Sequence, residues 1–273
     1  MRDFRAFLLD LDGVVYRGEQ VLPGAREFVE WADATGRRVL YLSNNSLQSP
    51  DDVADKLARL GLPRPQGRVL TAGWAAAQLL GQRFPGGRVY VLGVPAVERM
   101  VEQAGLYTVW RDAADAADAD MPDAVLVGLD RSLTYERLRR ALRAIMAGAA
   151  FVAVNRDPRL PMEDGFDPGT GAIATALEYA SDVRAEIVGK PAPAIIQQAM
   201  RMLSVSPAET LVIGDGLDLD IVAGHAAGVA TALVLTGLTS AEQAAAAEGA
   251  RKPDLVFADM RALLAAAHAA ADG

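Results

Sequence analysis

Short apolar, β-branched runs alternate with longer stretches of helical periodicity along most of the chain. The first run, Ala6-Phe7-Leu8-Leu9, has no polar alternation and is followed at once by polar residues and Gly13. That is the pattern of a strand buried on both faces of a parallel sheet. Comparable runs are RVLYLS ending at Ser43, RVLT ending at Thr71, RVYVLG ending at Gly93 and AVLVGL from Ala124. AFVAVN ending at Asn155, TLVIGD ending at Asp215, ATALVLT ending at Thr236 and DLVFA from Asp254 continue the series. Between them, Pro50 to Leu60, Tyr135 to Ala147, Pro191 to Leu203 and the alanine-rich C-terminal segment carry helical patterns. The alternation predicts an α/β fold with a mainly parallel sheet. Sheets of this kind bind ligands beyond the carboxyl ends of their strands.

Composition narrows the chemistry. A chain of 273 residues, 51% hydrophobic, can bury a substantial core, in one part or two. No apolar run reaches the ~20 residues a membrane helix needs, and the N-terminal segment leads into a strand, so a cytoplasmic location is expected. With no cysteine and two histidines, disulfides, thiolate catalysis and cysteine-held zinc are excluded, and a bound metal must be held by oxygen. A formal net charge of −8 argues against general nucleic-acid binding, which needs a basic footprint.

Four strand ends carry polar chemistry: Asp10-Leu11-Asp12-Gly13, Ser43-Asn44-Asn45, Gly189-Lys190-Pro191, and Gly214-Asp215 through Asp220. In extended backbone, residues two apart point to one side, so Asp10 and Asp12 are expected to project together. The Asp215, Asp218 and Asp220 carboxylates would likewise repel one another without a counter-ion. Taken singly, each motif has a plain structural reading, such as a helix cap for Ser43 or a proline opening a helix after Lys190. Taken together they suit phosphoryl transfer through a carboxylate nucleophile. Mg²⁺ prefers octahedral oxygen coordination and keeps several waters, so Asp10 and Asp215 can supply its carboxylates with Asp218 and Asp220 behind them. Lys190 adds positive charge, and Ser43, with nearby backbone N–H groups and the neighbouring Asn44 and Asn45, is placed to hold phosphoryl oxygens.

On these motifs the chain resembles the haloacid dehalogenase (HAD) superfamily, and within it the NagD-like and p-nitrophenylphosphatase-like phosphatases. VGLDRSLTYERL from Val127, VNRDPRLP from Val154 and DPGTGAIATALE from Asp167 extend the resemblance through nearly the whole length. It implies a Rossmann-like core, residues 1–87 and 185–273, with an α/β cap inserted at 88–184. It also implies that Asp10 is the nucleophile, that Asp12 is the general acid and later the base, and that the Asp12 main-chain carbonyl, with Asp10 and Asp215, ligates Mg²⁺. The implied activity is hydrolysis of small phosphate monoesters such as sugar phosphates, nucleotide monophosphates or p-nitrophenyl phosphate through an aspartyl phosphate. A small phosphorylated metabolite is the expected partner, a homodimer through the cap is a candidate assembly, and specificity is assigned to the loop Asn155 to Gly171. Ser43 stands where many relatives carry Thr, which preserves the hydroxyl. Gly216 stands where these phosphatases usually carry Arg, which removes whatever contact that side chain makes.

Other readings compete. A phosphotransferase or mutase would use the same intermediate, and a phosphate-ligand binding protein could share the fold without catalysis. Gly169, Gly171 and Ala174 fit a dinucleotide fingerprint, but they follow the loop-like MEDGFDP where that site needs a strand and tight turn. His225, His268, Trp31, Trp74 and Trp110 are expected to be structural, and Arg111 to Asp123 reads as a solvated surface segment.

Overall fold

A computed structural model describes residues 4–110, 121–162 and 164–272. The chain divides into two compact units, one of residues 1–43, 50–70 and 190–273, the other of residues 44–49 and 71–189. The second unit is thus wider than the segment 88–184 expected from the sequence, because the helix Ala72–Arg83 and the residues just after Ser43 cluster with it.

In the first unit, a six-stranded sheet runs in the order Leu255–Phe257, Ala230–Val234, Thr210–Gly214, Ala6–Asp10, Arg38–Ser43, Val69–Thr71. The strand Ala6–Asp10 lies at its centre and pairs in parallel on both sides, with Leu8 opposite Val212 on one and Leu40 on the other. Its residues Ala6 to Leu9 are wholly buried, as an unbroken apolar run on a two-sided sheet requires. Chain order reverses direction across this strand, which makes its carboxyl end the switch point where α/β sheets bind ligands. On one side of the sheet Phe7, Phe28 and Trp31 pack with ring centroids 5.0–5.8 Å apart. His268 meets Trp31 edge-on.

The second unit has its own parallel sheet, ordered Glu186–Ile187, Ala150–Ala153, Ala124–Val127, Arg88–Leu92, Tyr107–Thr108. Its core includes Tyr90, Trp110 and Phe151. The segment read as loop-like is instead half of an antiparallel hairpin, in which Arg159–Met162 pairs with Gly165–Pro168. Loop-forming residues obscured the strand, while the Arg159 guanidinium 4.8 Å over the Phe166 ring supports the cross-strand pairing. Gly169 then opens the helix Thr170–Ser181 directly from this hairpin and not from a strand of the parallel sheet, so the dinucleotide fingerprint lacks its context.

Each long apolar run of the sequence lies on a strand; the short pairs Tyr16–Arg17 and Gln20–Val21, which form a hairpin, were too brief to show a pattern. Residues 111–120 of the alanine- and aspartate-rich segment lie outside the described residues; beyond them, Asp123 accepts the Arg88 N–H at 2.8 Å. Among the described residues, no helix is long and apolar enough to cross a membrane.

Candidate active site

The carboxyl ends of two adjacent strands of the first unit bring Asp10 and Asp215 together. Register does this: Leu9 sits opposite Ile213, so both chains leave the sheet at the same level. Asp220 joins them from the π-helical segment Leu217–Ile221, and the three carboxylates place one oxygen each within 4.8 Å of the others. Lys190, at 3% exposure, fills the centre: its Nζ donates to Asp10 Oδ1 at 2.5 Å and to Asp220 Oδ1 at 2.6 Å. Asp220 Oδ2 in turn accepts the Gly216 N–H at 3.1 Å. On the Gly216 side that contact uses only the backbone N–H, so it needs no side chain at this position.

The electrostatics follow from burial. Removal from water drives the Asp10 carboxyl up to about 7, with Lys190 opposing and Asp220 and Asp215 adding to the rise. Burial and the Asp220 charge likewise raise Asp215 to about 6, against the Leu238 N–H. For Lys190, burial favours the neutral amine, but Asp10 and Asp220 outweigh it and hold the ammonium above its ordinary value. Three clustered carboxylates and one ammonium leave two negative charges uncompensated. A divalent cation with oxygen preference matches both that charge and that donor set.

Asp12 lies past the end of the strand, in an isolated bridge to Tyr16, and is exposed. Its pKa is raised by desolvation, against Lys56 and Lys190, which suits a proton donor more than a bare carboxylate. Lys56 is held 3.9 Å over the Tyr16 ring. Ser43 ends the neighbouring strand, whose Leu42 is opposite Asp10.

Asn44 and Asn45 belong to the second unit. The Asn45 carboxamide oxygen accepts the N–H groups of Leu47 at 2.6 Å and Gln48 at 3.2 Å, closing an Asx turn. The Asn44 carbonyl accepts from the buried Asn155 Nδ2 at 2.8 Å, so Asn155 holds this turn in place.

Asp218 departs from its expected place behind the metal ligands. Its side chain is 74% exposed and pairs with Arg251 at 2.8 Å, because residues two apart in a helical turn point to nearly opposite sides. Sequence reasoning also passed over the connection Thr236 to Thr239. Leu238 N–H donates to Asp215 Oδ2 at 2.8 Å, and Thr239 Oγ1 donates to the Asp215 carbonyl at 2.6 Å. The only signal available was a threonine–glycine turn directly after a strand end, and such turns are common. His225 is structural, bonded to the Ala250 carbonyl at 2.9 Å and near Asp254.

A buried lysine among carboxylates at the switch point of a parallel sheet suits chemistry on an anionic substrate. Comparison with known proteins supports this reading. Residues 7–107 match the family described as haloacid dehalogenase-like hydrolase, and residues 187–263 match a second, HAD-hydrolase-like family. The chain is 37% identical over 242 residues to the 5'-nucleotidase YutF of Bacillus subtilis, covering 89% of this chain and 91% of that one. Among solved structures, it is similar to a glycerol phosphate phosphatase from Mycobacterium tuberculosis in complex with magnesium, with TM-score 0.84 and 38% identity over 96% of this chain and 75% of that one. A 4-nitrophenylphosphatase from Thermotoga maritima matches with TM-score 0.84 and 32% identity over 96% of both chains. The chain belongs to the haloacid dehalogenase-like hydrolases.

Proposed function

We propose that this hydrolase is a Mg²⁺-dependent phosphatase of small phosphate monoesters that works through an aspartyl phosphate on Asp10. The observation that carries the reading is Lys190 bridging Asp10 and Asp220 beside Asp215. Asp10 and Asp215, with the Asp12 carbonyl, would hold Mg²⁺, which supplies the charge that lets an anionic nucleophile approach an anionic phosphate. An Asp10 carboxylate oxygen would attack phosphorus, forming the aspartyl phosphate as the bond from phosphorus to the leaving oxygen breaks. Lys190 keeps Asp10 oriented and offsets negative charge on the phosphoryl group, and Asp220 anchors Lys190. The raised carboxyl of Asp12 gives its proton to the leaving oxygen, and Asp12 then takes a proton from the water that hydrolyses the aspartyl phosphate. Ser43, at the end of the strand beside Asp10, is assigned to the phosphoryl oxygens.

The unit that contains residues 88–184 acts in this reading as a cap, and the hairpin between Asn155 and Gly171 selects the ester. The names of the similar proteins, a nucleotidase and phosphatases of glycerol phosphate and 4-nitrophenyl phosphate, support small monoesters as substrates. A cytoplasmic location, where such metabolites are made, belongs to the same reading. So does a homodimer through the second unit, which exposes Tyr135, Met146 and Tyr179 on its helices; light scattering of the purified chain tests it.

The decisive experiment measures phosphate release from a panel of sugar phosphates, nucleoside monophosphates, glycerol phosphate and p-nitrophenyl phosphate, with Mg²⁺ and with EDTA. Release from at least one ester only with Mg²⁺ is expected, and full release in chelator would overturn the reading.

A further inference from the structure

Asp215 stands just past its strand, where the sheet ladder no longer fixes it, yet its carboxylate and its carbonyl are both held by one short connection from the neighbouring strand. Leu238 N–H takes Oδ2 at 2.8 Å, and the buried Thr239 hydroxyl takes the carbonyl at 2.6 Å. Two glycines make the approach possible: a Cβ on Gly237 or on Gly13 would overlap Asp215 Oδ2. Gly13 also has φ +78°, a conformation that side chains resist.

The connection is itself pinned. Thr236 Oγ1 donates to the Gly13 carbonyl at 2.6 Å, in the turn that follows the Asp10 strand. The Arg17 guanidinium, from the hairpin beyond that turn, donates to the Thr236 carbonyl. Downstream, Ser240 and Gln243 form a reciprocal capping box that fixes the start of the next helix.

We propose that Thr236 to Thr239 is a positioning loop for the metal-binding carboxylate: it commits Asp215 Oδ2 to the chain and leaves Oδ1 as the oxygen presented to the cation, with Thr239 as its principal anchor. The proposal rests on the reading of Asp215 as a Mg²⁺ ligand. A carboxylate held in one orientation before the ion arrives loses less freedom on binding, and outer groups that orient a ligand typically contribute about 10–100-fold in metal affinity. The same connection joins Asp215 to the turn after Asp10 through the Gly13 carbonyl.

Calorimetric titration of Mg²⁺ into the full chain, paired with thermal melts, tests this. Asp215→Asn is the reference for the underlying reading and is expected to abolish measurable binding; wild-type affinity in that variant would overturn the assignment of Asp215 itself. Thr239→Val keeps the shape but leaves the Asp215 carbonyl without its donor. It is expected to weaken Mg²⁺ binding by about 10–100-fold, while Thr239→Ser, which keeps the hydroxyl, restores most of the affinity. With Asp215→Asn inactive in binding, a folded Thr239→Val that binds Mg²⁺ as the wild type does would overturn the proposal. If Thr239→Val does not fold, the exposed Gly237→Ala decides: its methyl must displace Asp215 Oδ2, so weaker binding supports the positioning role and unchanged binding refutes it.

Discussion

The triplet Asp-Leu-Asp occurs twice at this site, as Asp10 to Asp12 and as Asp218 to Asp220, and the two copies are used differently. The first begins at the last residue of a buried strand: Asp10 is 16% exposed and bound to Lys190, while Asp12 stands outside the sheet and exposed. The second lies inside a π-helical turn: Asp220 is 2% exposed and bound to the same Lys190, while Asp218 faces solvent and Arg251. In both, one aspartate meets the lysine. The other member of the first pair remains electrostatically tied to the site, through Lys190 and Lys56, whereas the other member of the second pair is spent on a surface ion pair. Identical spacing thus carries different chemistry, because a strand end and a helical turn send residues i and i+2 in different directions.

Substitutions can break this contrast, and the largest effect is expected at the first triplet. Asp10→Asn, nearly isosteric but a poor nucleophile, is expected to bring phosphate release to background with the melting transition retained. Steady-state activity above about one per cent of wild type, after excluding deamidation, would remove Asp10 from its role. EDTA is expected to reach the same floor, and Ca²⁺ is expected to bind without restoring turnover. Its 6–8 oxygen ligands can draw both Asp10 oxygens into coordination, so activity in Ca²⁺ equal to that in Mg²⁺ would contradict the geometry.

Lys190, shared by both triplets, comes next. Lys190→Ala is expected to lower kcat by about 10²–10³, the usual cost of removing a preorganised charge at a developing anion. It also leaves Asp10 and Asp220 facing each other without their common partner, so a melt should accompany the kinetics. Normal kcat with a large drop in Tm would make the lysine structural only.

Asp220→Asn sharpens the comparison within the second triplet. It keeps shape but takes the charge that anchors Lys190, and a loss of about 10–100-fold in kcat is expected. Asp218→Asn is expected to change kcat by less than about twofold and stability by under about 1 kcal/mol, as for an exposed ion pair. Equal losses for Asp218→Asn and Asp220→Asn, measured in the same assay, would erase the distinction between the two sides of the turn.

The sequence by itself determined the strands that matter. Unbroken apolar runs mark the strands of a buried parallel sheet, and the polar residues that end them sit at its carboxyl edge. Asp10, Ser43 and Asp215 were legible for that reason, and Lys190 through the motif that holds it. The hairpins Tyr16–Arg17 with Gln20–Val21 and Arg159–Met162 with Gly165–Pro168 were not, since their few residues carry no period. Only the tertiary structure decided which aspartate of the second triplet turns inward, because that depends on a helical turn whose five residues, Leu217–Ile221, read equally well as an extended continuation. Only it brought Thr236 to Thr239 against Asp215 and Gly13, residues separated by more than 200 positions from one another at the extremes. Hydrogen bonds between neighbouring strand ends depend on sheet order and register, and neither is written in the local pattern of any one strand.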